Sequence, residues 1–482
     1  MSATMTCVAI ECATREDDPR TVDREILFEK SNGTLGVQNG IDSQISDSAA
    51  TLVKRNLSIR RKENAENNVK AESQPAAEAQ THTYSEQSAA QVNGINGVTI
   101  KRQSALFLQA VRQKYVLVTD HIVPAVQHDG EILVKVDAVG LNPIDWKAPA
   151  FNFGIPSLPW IFGRDLAGVV VQTAPNSRIK KGDLVAVPST DYRDIRKAAF
   201  QEYAIATHYN AVRIPPTTSI HSGVSLGVAF VASALALGIC FGLDFDLSKD
   251  APGPNLPQII SQIDQEQIPA DVREECFSSA DESRRIKRGD WIAIWGASTT
   301  TGYVTIQLAK LCGLRVVAVA DVARHGAKLH EAGADILVDR LDTNRAVEII
   351  RGVTQGRLRY AIDIVGRDTA AILQQALYID DSSETSTHLL GLTGLPKERD
   401  PRIRYHTVPI KMFHSSPAVG EGLVTWLERL LETQKLVPPE VVVRRDGGLA
   451  DINDALEVLR SGAVSGKRLV VDLRKNTEIA AN

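Results

Sequence analysis

A run of glycine and small hydroxylated residues between an apolar strand and an amphipathic helix is the clearest candidate for chemistry. Trp291–Trp295 predicts a buried strand. Val304, Leu308 and Leu311 share one face of the helix that follows, which we expect to begin at about Gly302. Backbone N–H groups at a helix N-terminus bind phosphate oxygens, and small residues allow a close approach. The residues of this predicted phosphate-binding loop are Gly296, Ala297, Ser298, Thr299, Thr300 and Thr301.

The spacing within this loop is a weak signal by itself, because the G-x-G-x-x-G pattern is absent. The alternative interpretation is a threonine-rich helix start that is capped by Ser298 and binds nothing. The buried strand before the loop and the amphipathic helix after it favour the nucleotide site.

The residues after the next apolar strand bear on the choice between NAD and NADP. Asp321 lies about twenty residues beyond the loop, where an acidic side chain can bind the ribose hydroxyls. Arg324, His325 and Lys328 follow, and their cationic groups would instead neutralise a 2′-phosphate. Counted back from Gly333, Asp321 falls one position beyond the usual acid. We therefore favour NADP(H); the alternative is that these charges belong to a solvated loop.

Apolar strands alternate with helical segments from about residue 289 onward. Near-continuous apolar strands are typical of a parallel sheet that is covered by helices on both faces. This pattern predicts an α/β, doubly wound (Rossmann) nucleotide-binding domain. The predicted strands are Trp291–Ala297, Leu314–Ala320, Ile336–Asp339, Tyr360–Gly366 and His388–Gly394.

Short β-rich runs separated by Gly, Pro and Asn precede this region and indicate a small barrel-like β domain. Two further runs, Val441–Arg445 and Arg468–Leu473, are expected to rejoin that domain from the C-terminal tail. The earlier runs are Tyr115–Thr119, Glu131–Val139, Ala167–Gln172, Asp183–Pro188 and Phe200–Ala206.

These patterns divide the chain into three parts. Residues 1–97 are rich in Ala, Ser, Asn, Gln and Glu and are predicted to be a disordered extension. Residues 98–225, completed by 435–482, are assigned to the β domain, and 226–434 to the nucleotide-binding domain. Within the latter, the polar segment 244–288 is predicted to be a surface insertion with a single helix.

Charge and cysteine usage exclude several classes of protein. Lys and Arg number 54 against 58 Asp and Glu, a net charge of −4, which favours a small-molecule substrate over nucleic acid or an anionic membrane. None of the five cysteines forms a CxxC pair, and the N-terminus carries acidic residues without a long apolar run. We predict reduced thiols in a cytoplasmic protein. The cysteines are Cys7, Cys12, Cys240, Cys276 and Cys312.

The apolar stretch Val224–Leu243 approaches the length of a membrane span. It is rich in Ala and Gly, has no basic flank and leads into Asp244 and Asp246. We therefore predict a buried helix of a soluble domain and no membrane association.

Together these features resemble the medium-chain dehydrogenase/reductase superfamily over about residues 100–475. The Ser–Thr–Thr–Thr loop and the NPIDWK segment are most similar to quinone oxidoreductases and to the fungal trans-acting enoyl reductases of polyketide pathways. The resemblance implies a GroES-like β-barrel catalytic domain beside the Rossmann domain. The segments that carry it are Val139–Lys147, Ile161–Val170, Lys181–Val187, Ala199–Ala206, Trp295–Gly302, Gly333–Asp335 and Ser465–Leu473.

The sequence departs from the zinc-dependent members of the superfamily at their metal-binding positions. Those members have a cysteine ligand where this chain has Asn142, and a His–Glu pair where it has Arg164–Asp165. Zinc requires three or four converging N, S or O ligands, and no cysteine lies between Cys12 and Cys240. The resemblance therefore implies hydride transfer without a metal, and we predict no metal site.

The resemblance also implies positions for the candidate catalytic residues. Asn142 is expected near the nicotinamide ribose, and Lys147 at the mouth of the active site. The Lys147 ammonium would polarise the substrate carbonyl or deliver a proton. Tyr192, in a polar loop, is a second candidate acid. For both residues the alternative is a surface side chain without a catalytic role.

Further cofactor contacts are implied by the same resemblance. Val365 and Gly391 are expected along the nicotinamide side, and Ser465 and Lys467 near the far rim of the cofactor. Arg340 stands where the enoyl reductases tend to have a tyrosine that stacks on adenine, and its planar guanidinium would stack instead.

The leading functional hypothesis is an NADPH-dependent, zinc-independent reductase of an activated C=C bond, of enoyl or quinone type, in secondary-metabolite biosynthesis. One alternative is a ketone or aldehyde reductase, which the lack of zinc disfavours because simple carbonyls need stronger polarisation than Lys147 alone provides. Another class is a catalytically silent NADPH-binding partner protein, which the small residues Ala232–Ala234 disfavour because they leave the pocket open. No feature specifies the substrate, a carrier protein that presents it, or the oligomeric state.

Overall fold

The computed structural model describes residues 101–279, 281–379, 387–445 and 447–474. The predicted disordered extension 1–97, with Cys7 and Cys12, lies outside these described residues. Two sheet systems account for the architecture, a mostly antiparallel β domain, in which only β15 and β16 among the described strands pair in parallel, and a parallel sheet with helices on its faces.

The β domain is built on a seven-stranded sheet with the order β15-β16-β3-β5-β6-β8, in which β7 also pairs with β3. A three-stranded sheet, β2-β1-β4, lies beside it. Strand β16 pairs antiparallel with β3, so the C-terminal tail contributes a strand to this sheet. The elements are β1 (Arg102–Leu108), β2 (Val116–Ile122), β3 (Glu131–Gly140), α1 (Pro143–Phe151), β4 (Trp160–Ile161), β5 (Asp165–Gln172), β6 (Leu184–Val187), β7 (Tyr203–Thr207), β8 (Val212–Arg213), β15 (Val441–Arg444), α11 (Ile452–Arg460) and β16 (Arg468–Asp472).

The second sheet is parallel throughout, with the order β11-β10-β9-β12-β13-β14. This order, in which the chain returns to the centre before building the other half, is that of a doubly wound nucleotide-binding domain, as predicted. Strand β14 was not predicted, because its residues IRYH form no apolar run. The elements are β9 (Trp291–Trp295), α5 (Thr300–Leu311), β10 (Arg315–Ala320), α6 (Val322–Glu331), β11 (Ile336–Asp339), α7 (Thr343–Thr354), β12 (Tyr360–Asp363), α8 (Arg367–Gln375), β13 (Thr387–Gly391), β14 (Ile403–His406), α9 (Lys411–Ser415) and α10 (Pro417–Glu432).

The apolar stretch between the two sheets forms helix α2 (Ile220–Leu235), which continues as a π-helical turn over Ala236–Cys240. It is long and apolar enough to cross a membrane, yet 94% of its most apolar window is buried inside the protein. Helix α2 packs on strands of the β domain and on α5. Helix α2 also runs through residues 225 and 226, between which the sequence predicted a domain boundary. The domain boundaries remain predictions.

The insertion 244–288 contains two helices, α3 (Leu256–Ser261) and α4 (Ala270–Cys276), where the sequence predicted one. It is not only a surface feature, because several of its apolar side chains join the core around α2 and the parallel sheet. These buried side chains are Phe245, Leu256, Ile260, Ile268, Cys276 and Ile286.

Candidate functional site

The predicted phosphate-binding loop lies at the carboxyl end of β9, in the centre of the parallel sheet. Gly296 adopts a left-handed conformation with a φ of 87°, which turns the chain out of the strand. The backbone N–H groups of Gly296 and Ala297 donate to Val319 O, each at 3.1 Å, so this turn is fixed to β10. Helix α5 begins at Thr300, two residues before the predicted start.

The helix cap is Thr299 and not Ser298. Thr299 Oγ1 accepts a hydrogen bond from Gly302 N at 3.1 Å and donates one to Gly296 O at 2.8 Å. Ser298 is one residue too early for its hydroxyl to serve the third residue of a helix that begins at Thr300. The first backbone N–H groups of α5, at Thr300 and Thr301, therefore form the positive end of the helix beside the loop.

The neighbouring strand β12 ends across the crevice from this loop. Asp363 Oδ1 accepts hydrogen bonds from Val365 N at 3.0 Å and Gly366 N at 2.8 Å. Its Oδ2 is buried with no partner among the described residues, and burial raises the pKa of Asp363 to about 6. Val365 is half-exposed, and a Cβ on Gly296 would lie 2.8 Å from its side chain. Gly296 and Val365 thus face each other, while Gly391 ends the next strand, β13.

The end of β10 carries the cluster of cations that the sequence singled out. Asp321 caps α6, with Oδ1 accepting from Arg324 N at 3.2 Å. Arg324 and Arg340 are exposed beside His325 and Lys328, and their charges act on the His325 imidazole. Burial and these cations lower the pKa of His325, so the positive charge at neutral pH resides on the arginines and the lysine.

The turn before β16 closes this cluster from the β domain. Ser465 Oγ lies 2.9 Å from His325 Nε2, and Lys328 Nζ donates to Gly466 O at 2.8 Å. Lys467 forms an ion pair with Glu440 at the surface. The structure thus brings Ser465 to the cation cluster, whereas the Lys467 ammonium is paired with Glu440, and both of these charges act on Lys328.

A buried polar cluster joins the start of α1 to the start of β16. Asp165 accepts two backbone hydrogen bonds, from Ser189 N at 2.9 Å and Val228 N at 2.8 Å. Its other oxygen accepts from Asn142 Nδ2 at 2.8 Å and Arg468 Nη2 at 2.6 Å. Burial raises the pKa of Asp165, while the Arg468 guanidinium and the hydrogen bonds oppose that rise. Each oxygen of the Asp165 carboxylate therefore accepts two hydrogen bonds, and the bond from Asn142 fixes the orientation of the Asn142 side chain.

Helix α2 bends to reach this carboxylate. Gly227 interrupts the helix with a φ of 24° and a ψ of −126°, and a Cβ there would lie 2.0 Å from Asp165 Cγ. The absence of a side chain at Gly227 therefore lets Val228 N point at the carboxylate.

Arg164, which precedes Asp165 in the chain, packs its guanidinium over the ring of the candidate acid Tyr192. Its guanidinium is buried and stands 4.6 Å from the centre of the Tyr192 ring, within the range of a cation–π contact. Burial lowers the pKa of Arg164, and nearby acidic groups, with Asp145 first, oppose that change. His414 on α9 is a further buried group here, and burial lowers its pKa to about 3, which keeps it neutral.

Helix α1 carries the other candidate acid, Lys147, and a buried carboxyl that the sequence analysis missed. In the described part of the chain the half-buried Lys147 ammonium contacts the Trp146 ring, at 5.7 Å, and not Tyr192. Asp145 accepts from Asn142 N at 2.7 Å through Oδ2, while Oδ1 is buried without a partner. Burial raises the pKa of Asp145 to about 7. An aspartate three residues after Asn142 was a visible signal for the start of this helix, but its burial was not.

Comparison with known proteins gives matches in both domains. The family model described as alcohol dehydrogenase GroES-like domain matches residues 128–216, and the one described as zinc-binding dehydrogenase matches residues 300–397. A trans-enoyl reductase of Gibberella fujikuroi is 28% identical over 379 residues, which cover 74% of this chain and 94% of the relative.

Solved structures share the fold at low sequence identity. An alcohol dehydrogenase superfamily protein from Novosphingobium aromaticivorans has a TM-score of 0.60 and 18% identity, covering 77% of this chain and 100% of its own. Quinone oxidoreductase of Escherichia coli, solved in complex with NADPH, has a TM-score of 0.57 and 16% identity, covering 77% and 99%.

The description of the second family model raises the question of whether catalytic zinc fits this site. At the positions that zinc-dependent members use, this chain has Asn142, Arg164 and Asp165. Arg164 is a cation and has no lone pair to donate, and the Asp165 carboxylate already accepts four hydrogen bonds. This donor set does not fit a zinc ion.

Proposed function

We propose that this chain, which belongs to the medium-chain dehydrogenase/reductase superfamily, transfers a hydride from NADPH to an activated C=C bond of enoyl or quinone type. The observation that carries the proposal is the pairing of a nucleotide crevice at β9 and β12 with an adjacent polar site that is unsuited to zinc. Both relatives and solved structures named as enoyl or quinone reductases support it.

The residues of the crevice fit an NADPH molecule. The strand order reverses between β9 and β12, which is where dinucleotides bind in doubly wound sheets. The first turn of α5 offers backbone N–H groups to the pyrophosphate. Arg324, Lys328 and Arg340, with the Ser465 hydroxyl, match a 2′-phosphate. Asp321 Oδ1 caps α6, and its Oδ2 lies 3.8 Å from Arg324 Nε, so the carboxylate is turned toward groups of its own helix.

NADPH, when bound, supplies the hydride, and the residues of this chain position the substrate and supply the proton. Hydride addition to the β-carbon of a conjugated carbonyl places negative charge on the carbonyl oxygen. The Arg164 guanidinium, stacked on Tyr192, is a fixed positive charge that would stabilise it. Lys147 and Tyr192 are the candidate donors of the α-proton. The buried Asp145, which has one unpartnered oxygen, positions Asn142 through its backbone amide.

The relatives also support finer features of the proposal. Since a trans-enoyl reductase of Gibberella fujikuroi is 28% identical over 74% of this chain, we propose a role in secondary-metabolite biosynthesis, with a small-molecule substrate bound to a carrier. The fold of its neighbours is that of soluble proteins, and we assign the chain to the cytoplasm.

An acceptor panel tests the function. NADPH oxidation would be followed with an α,β-unsaturated thioester, a quinone and a simple aldehyde, each offered separately. We expect turnover with the first two classes and none with the aldehyde. Turnover restricted to the aldehyde would favour the carbonyl reductase instead, and tight NADPH binding with no turnover would favour a silent binding protein.

Variants at the two candidate donors test the proton-transfer step. Lys147→Met removes the ammonium and keeps much of the side-chain volume, and we expect a fall in kcat of about 10²-fold or more if this residue delivers the proton. Tyr192→Phe removes only the hydroxyl and preserves the ring under Arg164. Wild-type kcat in both variants would exclude both residues as donors.

A further inference from the structure

A second group of potential ligands lies where the insertion meets the turn after α2 and the end of β14. Cys240 ends the π-helical turn after α2, Glu275 lies on α4 of the insertion, and His406 ends β14. One ligand atom from each lies within 4.8 Å of the others. Cys240 and His406 are completely buried, and the Glu275 side chain is 15% exposed. Three different elements therefore bring sulfur, nitrogen and oxygen donors to one point.

The orientation of the His406 imidazole suits a ligand. His406 Nδ1 faces Glu275 Oε1 at 2.6 Å, and His406 Nε2 lies 2.9 Å from His388 Nδ1. Metal-bound histidines use one ring nitrogen for the metal and donate the other N–H to a fixed acceptor. His388 Nδ1 is the group that faces His406 Nε2, and it can serve as this fixed acceptor.

Aromatic packing holds this pair of imidazoles in place. His388 stacks between Tyr360 and His406, with ring centres 5.1 Å apart on each side. Phe241 meets the edge of His406 at 5.6 Å. A ligand whose plane is fixed before the metal arrives loses little conformational freedom on binding.

We propose that Cys240 Sγ, His406 Nδ1 and a Glu275 carboxylate oxygen bind a divalent transition metal ion of the zinc class. Thiolate, imidazole and carboxylate are the donors that zinc accepts, and three protein ligands leave one position for water. Binding displaces the proton of the Cys240 thiol to solvent.

The site differs in kind from a catalytic zinc, since it shares no residue with the Asn142 cluster or with the loops of the nucleotide crevice. Its effect is to fasten the insertion to the parallel sheet, because Glu275 belongs to the insertion and His406 to β14. Elsewhere α4 is tied to α9 by the Lys411–Asp271 ion pair, at 2.6 Å. This inference departs from the sequence-based prediction of no metal site, which considered only spacings known from zinc-dependent relatives.

Cobalt provides a direct test in the full chain. The protein would be dialysed against a chelator and titrated with Co²⁺ alone, then with Zn²⁺. We expect one Co²⁺ per chain with a thiolate charge-transfer band in the near ultraviolet, which Zn²⁺ abolishes by displacement. Cys240→Ser should lose the band. Cys312→Ser is the matched control, because Cys312 is also buried and free but lies at the end of α5, and it should keep the band.

Two further measurements keep the proposal falsifiable if Cys240→Ser does not fold. Glu275→Gln should weaken Zn²⁺ binding by at least about 10-fold in competition with a chelator. Zn²⁺ should also slow proteolysis within residues 244–288 of the wild-type chain. No thiolate band in the wild type, a wild-type band in Cys240→Ser, or unchanged affinity in Glu275→Gln would each overturn the proposal.

Discussion

The buried ion pair between Asp165 and Arg468 gives the sharpest prediction about stability. Both side chains are almost completely buried, and their closest atoms are 2.6 Å apart. Arg468→Met removes the charge and preserves an unbranched chain of similar length. It leaves the Asp165 carboxylate in the protein interior with hydrogen bonds from Asn142, Ser189 and Val228 only.

The expected loss follows from this arrangement. Removing one partner of a buried pair costs about 3–5 kcal/mol of unfolding free energy, because the other charge stays desolvated. Because three hydrogen bonds to the Asp165 carboxylate remain, we expect Arg468→Met to lower the free energy of unfolding by about 3 kcal/mol, near the lower end of that range. Arg474→Met is the control: this arginine also pairs with an aspartate near the end of β16, but its side chain is 49% exposed. Solvent screening should limit that loss to less than about 1 kcal/mol.

The dependence of this loss on pH tests the mechanism. Burial already raises the pKa of Asp165 against the effect of Arg468, so removing the guanidinium raises it further. A carboxyl whose pKa is higher in the folded than in the unfolded state binds its proton more tightly when folded. Its contribution to stability is then complete below the unfolded pKa and is lost as the pH rises through the folded pKa. The loss in Arg468→Met should therefore be smaller at about pH 5.5 than at about pH 7.5.

Urea unfolding followed by tryptophan fluorescence at both pH values is the measurement. A loss below about 1 kcal/mol at the higher pH would show that Arg468 does not stabilise a buried charge. A loss that is larger at the lower pH would have the wrong sign and would refute the assignment of Asp165 as the affected group.

Three other predictions concern the nucleotide cluster, the bend in α2 and the cation–π contact. Arg324→Ala should weaken NADPH binding by about 10-fold and leave NADH unaffected, as measured by fluorescence titration; unchanged preference would contradict the 2′-phosphate assignment. Gly227→Ala should destabilise the protein by about 3 kcal/mol or more, because its Cβ would displace the Asp165 carboxylate. The control Gly352→Ala, in an open position on α7, should raise the melting temperature. Tyr192→Leu should lower the apparent affinity for an enone more than Tyr192→Phe does, because only Phe keeps a ring under Arg164; equal KM values would argue against this contact.

The strands and the nucleotide loop could be predicted because they depend on local patterns. Ile336, Leu337 and Val338 form an apolar run, and the predicted strand Ile336–Asp339 is the observed β11. Strand β14 was not predicted, because its four residues IRYH contain no apolar run. It becomes a strand by pairing with β13. Similarly, Thr299 caps the helix instead of Ser298 because the first helical residue is Thr300. Residue types alone do not determine where the helix begins.

The poor fit of Asn142, Arg164 and Asp165 to a zinc ion could also be predicted from the sequence, because it follows from which residue types are present. What replaces the metal was not visible. Arg164 and Asp165 were singled out as non-ligands, yet their partners Tyr192 and Arg468 are 28 and 303 residues away along the chain. The contact between Asp165 and Arg468 depends on how the tail strand β16 docks beside β3.

The sequence by itself thus determined the fold class, the glycine turn between β9 and α5, and the unsuitability of Asn142, Arg164 and Asp165 for zinc, since each is a matter of local pattern or donor chemistry. Only the tertiary structure decided that Asp165 is saturated by hydrogen bonds, and that Cys240, Glu275 and His406 meet. The physical reason is that burial and side-chain proximity are set by the packing of elements far apart in the chain.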